Sequence, residues 1–198
     1  MRIIYLGSSI TYGSAAEGYS FADALGEMGH PYVKIAVSGT TLAKKDNADG
    51  TSYVERFESY CRSTTVQAEL LCIQLSTNDA SQSLPLGAFT AEEAKDTATA
   101  LGALDYLICR GKQMGLKIAV FTNPPYPSKA YAQLVEGFLQ GARAYHPDVA
   151  VLDMWNMPSC KLSAEARARY MADDIHPTRL GYTEWWAPLF LRLTEQIG

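Results

Sequence analysis

Ser9 lies in Gly7-Ser8-Ser9-Ile10-Thr11, directly after the apolar run Ile3-Ile4-Tyr5-Leu6. An apolar run that stops at small polar residues reads as a buried strand ending in a tight turn. In an open parallel sheet, such strand ends are where ligands bind. A serine placed there is a candidate nucleophile, but its hydroxyl needs a positioned base. The sequence offers three histidines. His30 in Gly29-His30-Pro31 and His146 in Tyr145-His146-Pro147 each fall between a helix and the next strand. That puts both at the opposite edge of the sheet, where they read as surface loop histidines near helix C-termini. His176 follows the fifth strand, in a connection that can return over the strand ends. By elimination it is the base.

Asp173 stands three residues before His176. Positions three apart share a side in a tight turn or a helical turn. A carboxylate there would accept from the histidine Nδ1–H, fix the tautomer and stabilise the imidazolium. Asp174 is the rival, but its neighbouring position points it elsewhere. Attack on an acyl group also needs donors aimed at the developing oxyanion, each worth about 10²–10³ in rate. The Ser9 backbone N–H would donate if Ser9 opens a helix. Gly39, after the second strand, lets backbone approach a ligand closely. Asn78, after the third, brings a side-chain amide. Alone, Gly39 reads equally as a turn residue and Asn78 as a loop cap. Their convergence with Ser9 and His176 on one end of one sheet carries the argument.

These residues can meet only on a scaffold that gathers strand ends. Strand-like runs occupy 2–6, 32–37, 69–75, 116–121 and 149–152. Helical patterns occupy 19–28, 51–62, 128–145, 163–171 and 179–196, with Pro188 placed to kink or restart the last. Thr90-Ala91-Glu92-Glu93 reads as a capping box opening a further helix that runs to about Gly115. Strands alternating with helices predict a three-layer α/β/α sandwich with a five-stranded parallel sheet. The usual flavodoxin-like order, 2-1-3-4-5, sets strands one and three side by side, and with them Ser9 and Asn78. No repeat or linker interrupts the pattern, so one domain over residues 1–198 is expected.

Hydrophobic residues make up 47% and charged residues 19% of the chain, a globular balance that argues against disorder. A net charge of −4 argues against a nucleic-acid partner, which needs a basic surface. The first apolar run breaks at Gly7, too short for a signal segment or a membrane span. Cys61, Cys72, Cys109 and Cys160 form no Cys-x-x-Cys pair and none lies near a histidine in sequence. They read as buried or half-buried thiols in a reducing cytoplasm, not as a zinc site or a disulfide framework.

Taken in order, four short blocks make the chain resemble an SGNH (GDSL-type) hydrolase. Gly7-Ser8-Ser9-Ile10-Thr11 resembles the first block, with Ser9 rather than Ser8 in the nucleophile place. Ser38-Gly39-Thr40-Thr41 resembles the second and Ser76-Thr77-Asn78-Asp79 the third. Asp173-Asp174-Ile175-His176-Pro177 resembles the fifth. Each block is a weak pattern; their order and spacing over nearly the whole length make the combination strong. The resemblance implies ester hydrolysis through an acyl-enzyme with Ser9, His176 and Asp173 as triad, without metal or cofactor. It also implies Ser9, Gly39 and Asn78 as oxyanion donors. The sequence departs from the family at Ser8, where aspartate is usual, and at Ser76, where glycine is usual.

On this resemblance, strand-end loops should form the substrate pockets, with Tyr12, Tyr126 and Trp155 as their aromatic members. Short loops and the lack of a lid favour a small-molecule ester with a small acyl group, such as acetyl on a carbohydrate. Two alternatives stand beside this reading. A flavodoxin-like FMN carrier would cradle phosphate with Ser9–Ser14 backbone N–H groups, but would leave Asn78, Asp173 and His176 idle. A catalytically silent carbohydrate-binding relative would account for the Ser8 and Ser76 departures.

Overall fold

The computed structural model describes residues 1–45, 51–90 and 96–198. Its sheet has five parallel strands: β1 (Ile3–Gly7), β2 (Tyr32–Ala36), β3 (Leu70–Gln74), β4 (Lys117–Phe121) and β5 (Ala150–Leu152). They lie in the order β2-β1-β3-β4-β5, as the alternation of elements predicted. β1 and β3 are buried along their whole length, whereas the edge strand β2 is half-buried. The chain reverses direction across the sheet at β1 and β3, so Ser9 and Asn78 leave from neighbouring strand ends.

Side chains alternate between the two faces, as the strand period requires. Ile4, Leu6, Leu71, Ile73, Ile118 and Val120 pack into one core. The helices over that face are α3 (Tyr53–Ser63), α5 (Ala100–Gln113) and α6 (Lys129–Tyr145). Ile3, Tyr5, Leu70, Cys72, Ala119 and Phe121 enter the other, under α2 (Phe21–Glu27) and α8 (Ala187–Ile197). There Phe21 stacks on Phe190 at 3.8 Å, with Phe121 edge-on to Phe21 at 5.4 Å. Each such fully buried ring contributes about 1.5–3 kcal/mol over an exposed one.

Two short helices were not expected from sequence, α1 (Ser9–Tyr12) and α4 (Thr77–Ser81). Both are too short to show a periodicity, and both follow the strands that carry candidate site residues. α5 also begins later than expected. It opens at Ala100, where the Thr99 side chain accepts from the Gly102 N–H. Ala91, Glu92 and Glu93 of the expected capping box lie outside the described residues. Thr90 donates its N–H to the side of α5, at Asp105. A short helix α7 (Ala164–Tyr170) precedes the final segment. That segment is divided as Pro188 suggested. Pro188 sits in the first turn of α8, where a missing N–H costs least, and Gly181–Trp186 before it widens to π-helical spacing.

His146 corrects another expectation. It follows α6 at the predicted sheet edge, but it is buried rather than on the surface. Its Nε2 meets Asp105 at 2.6 Å, and Lys112 Nζ lies 3.3 Å from its Nδ1.

Candidate active site

β1 passes into α1 through the single residue Ser8, so Ser9 becomes the first helical residue. Gly7 is needed for this tight passage, because a Cβ there would collide with Thr11 Oγ1 and Gln74 Oε1. An N–H in the first turn of a helix has no intrahelical partner. The Ser9 N–H is therefore left without an intrahelical partner.

His176 reaches this turn from the other end of the chain. Its Nε2 lies 2.8 Å from Ser9 Oγ, and its Nδ1 lies 2.7 Å from Asp173 Oδ2. An ionised carboxylate only accepts, so Nδ1 carries the proton and Nε2 presents its lone pair to the serine. Asp173 Oδ1 accepts from the Ile175 and His176 backbone N–H groups, at 2.8 and 2.7 Å. Burial pushes the Asp173 carboxyl up, but the bonds from the His176 ring and these two amides outweigh it and hold it below the usual carboxylate range. The turn is closed by Ala172 N–H donating to the His176 carbonyl and by a bridge between Met171 and Pro177. Asp174 points away and pairs with Arg167 at 2.6 Å. The Tyr182 hydroxyl, buried beneath, donates to the Ile10 carbonyl at 2.7 Å and so ties the histidine-bearing segment to α1.

The donor side is built from β3. Ser76 caps α4, its Oγ accepting from the Asn78 and Asp79 N–H groups. The buried Asp79 carboxylate accepts from Leu42 and Ala43 N–H, at 2.8 and 3.0 Å. Asn78 Nδ2 donates to the Thr40 carbonyl at 2.8 Å. Together they dock the segment after β2 onto α4. One N–H of the Asn78 amide is used in this way and the other remains. Gly39 is exposed at φ 77°, a left-handed conformation that a side chain would resist, in the turn Val37–Thr40.

The aromatic candidates fall in two places. Tyr12 closes α1 and is exposed, with Lys34 Nζ 5.8 Å from its ring centre. Tyr126 and Trp155 lie after β4 and β5, beyond β3 from Ser9. They pack on each other and on the buried Tyr131. Burial there raises the Tyr126 hydroxyl to about 12.

Sequence reading named no role for Gln74, Asp79 or Tyr182. For Gln74 a signal existed: it is the one polar side chain in the run Leu70–Leu75. For Tyr182, whose partner is a backbone carbonyl far away in sequence, there was none.

Residues 5–183 match the GDSL-like lipase/acylhydrolase family. The chain belongs to that family. Membership makes it a carboxylic ester hydrolase of the serine type. Its fold is shared with GDSL structures of low identity. A protein described as a possible lipase from Chitinophaga pinensis aligns with TM-score 0.72 and 16% identity, covering 100% of this chain and 98% of that one. A G-D-S-L family lipolytic protein from Desulfitobacterium hafniense gives 0.69 and 15%, with 97% and 98% covered. The inhibitor-bound aryl esterase of M. smegmatis gives 0.60 and 19%, with 99% and 97% covered. No curated protein matches the chain.

Within this family the two departures now have a physical setting. Ser8 is buried and accepts from Gln74 Nε2 at 3.2 Å. Ser76 serves as the cap of α4, which a glycine could not do with a side chain. Neither side chain stands between Ser9 and His176.

Proposed function

We propose that this GDSL-family hydrolase cleaves esters of small acyl groups, such as acetyl on a carbohydrate, by a Ser9–His176–Asp173 relay. The observation that carries the reading is the 2.8 Å approach of His176 Nε2 to Ser9 Oγ, backed by Asp173. His176 takes the hydroxyl proton as Oγ attacks the ester carbonyl. The oxyanion accepts from the N–H groups of Ser9 and Gly39 and from the remaining Asn78 N–H. His176 then protonates the departing alcohol, and water, deprotonated by the same nitrogen, releases the acid from Ser9.

The strand ends beside Ser9 support a small acyl group. β1 and β3 enter helices within two residues there, whereas the longer connections follow β2 and α4. Residues 1–198 act as one hydrolase domain in this account. Its free cysteines suit a reducing cytoplasm, and no helix among the described residues is long and apolar enough to cross a membrane.

Initial rates on p-nitrophenyl acetate and p-nitrophenyl octanoate test the substrate side. The acetate should be preferred in kcat/KM; a large preference for octanoate would refute the small-acyl assignment.

A further inference from the structure

Gln74 is the last residue of β3 and is completely enclosed. Its side chain crosses to the neighbouring strand end and meets the nucleophile turn on both sides of Ser9. Oε1 accepts from Ser8 N–H at 3.0 Å, Thr11 N–H at 3.3 Å and Thr11 Oγ1 at 2.8 Å. Nε2 donates to Ser8 Oγ at 3.2 Å. Ser8 and Thr11 are themselves fully buried.

The position of these bonds matters more than their number. Ser8 occupies the N-cap of α1, yet its own side chain makes no capping bond. A cap residue ordinarily accepts from the second or third helical N–H. Here the third helical N–H belongs to Thr11, and Gln74 Oε1 accepts it from the adjacent strand. The cap of α1 is thus supplied by β3. Four residues further on, the same strand end carries Asn78, a proposed oxyanion donor. Gln74 therefore links the turn that holds the nucleophile to the segment that holds a donor.

We propose that Gln74 is a positioning residue for the ester hydrolysis, setting the Ser9 N–H and Oγ relative to Asn78. This rests on Ser9 being the nucleophile. Gln74 touches no reacting atom. It acts through Ser8 and Thr11, so its loss should slow turnover at each site and leave substrate binding nearly unchanged. A misplacement of about 1 Å costs up to roughly 10²-fold in rate.

The experiment compares wild type, Ser9→Ala, Gln74→Leu, Gln74→Glu and Thr11→Val on p-nitrophenyl acetate. Active sites are counted by titration with a fluorophosphonate, so that rates refer to folded, reactive enzyme. Gln74→Leu should lower kcat by about 10–100-fold with KM within about twofold. Gln74→Glu keeps the accepting oxygen and should recover most of the loss. Thr11→Val removes one donor and should lower kcat by about 3–10-fold, again without moving KM. It keeps the proposal testable if Gln74→Leu does not fold. Wild-type kcat per titrated site in Gln74→Leu, or in Thr11→Val where the leucine variant is lost, would overturn the proposal. So would a Gln74→Glu variant no better than Gln74→Leu. Activity surviving in Ser9→Ala would instead overturn the nucleophile assignment, whatever Gln74 does.

Discussion

His176 and His146 hold their aspartates at nearly the same distance, 2.7 and 2.6 Å, yet the two pairs are built for different work. Asp173 and His176 sit at the C-terminal end of the sheet and are partly open to solvent, with side-chain exposures of 55% and 20%. One ring nitrogen faces the carboxylate and the other faces a hydroxyl. Asp105 and His146 sit at the opposite end, exposed by only 1% and 10%. There Lys112, which can only donate, faces Nδ1, so that nitrogen accepts and Nε2 gives its proton to Asp105. Lys112 also bonds Asp148 at 2.5 Å, and Thr90 N–H completes Asp105. Both nitrogens of His146 are spent on structure. A histidine–carboxylate pair becomes a candidate base only where its far nitrogen is left for a third group.

The largest test of that contrast is to remove each ring. His176→Ala should lower kcat/KM on p-nitrophenyl acetate by about 10³-fold or more. His146→Ala should leave kcat per folded site within about twofold, since it lies far from any reacting atom. If the two variants lose activity equally, the distinction between the pairs is wrong. Next in size, Asp173→Asn should cost about 10²–10⁴-fold in kcat through the wrong tautomer, whereas Asp174→Asn should stay close to wild type. Equal losses in those two variants would point to a general role for the acidic turn.

For His146 the effect should appear in stability. Its removal leaves the Asp105 carboxylate buried without its nearest partner. Urea unfolding of His146→Ala should show a loss of about 1.5–3 kcal/mol, the range for a hydrogen bond to a charged group. A loss below about 0.5 kcal/mol, the range of ordinary surface substitutions, would mean that the pair contributes little.

The smallest effect concerns acid. The Asp173 carboxyl is held below its usual range in the folded state. Its contribution to stability is therefore present above the unfolded carboxylate value and is lost as pH falls through the lowered one. For so exposed a group it amounts to under about 1 kcal/mol. Asp173→Asn should be slightly less stable than wild type at neutral pH. The difference should shrink as pH falls below the ordinary carboxylate value. A difference that grows on acidification would reverse the sign and contradict the assignment.

Most of the sheet was legible because its signal is local and strong. The apolar runs at Ile3–Leu6, Leu70–Leu75 and Lys117–Phe121 each stop at small polar residues, which fixed both the strands and the end that carries the site. The meeting of Ser9, His176 and Asp173 was legible because a hydroxyl needs a base and only one histidine lay on the right side of the sheet. What stayed hidden depends on partners distant in sequence. Gln74 reaches across to Ser8 and Thr11, Tyr182 to Ile10, and His146 to Asp105. A histidine in a helix-to-strand loop reads as surface unless the aspartate on the neighbouring helix is known to face it. α1 and α4 escaped for another reason, since four- and five-residue helices show no periodicity to read.

The central claim, that Ser9 is the nucleophile activated by His176, is tested most directly by covalent trapping. Wild type and His176→Ala are treated with a fluorophosphonate, digested and read by mass spectrometry. The account predicts one phosphonyl group on Ser9 in the wild type, with labelling strongly slowed in His176→Ala. A label on Ser8, or equal labelling of Ser9 in both proteins, would contradict it.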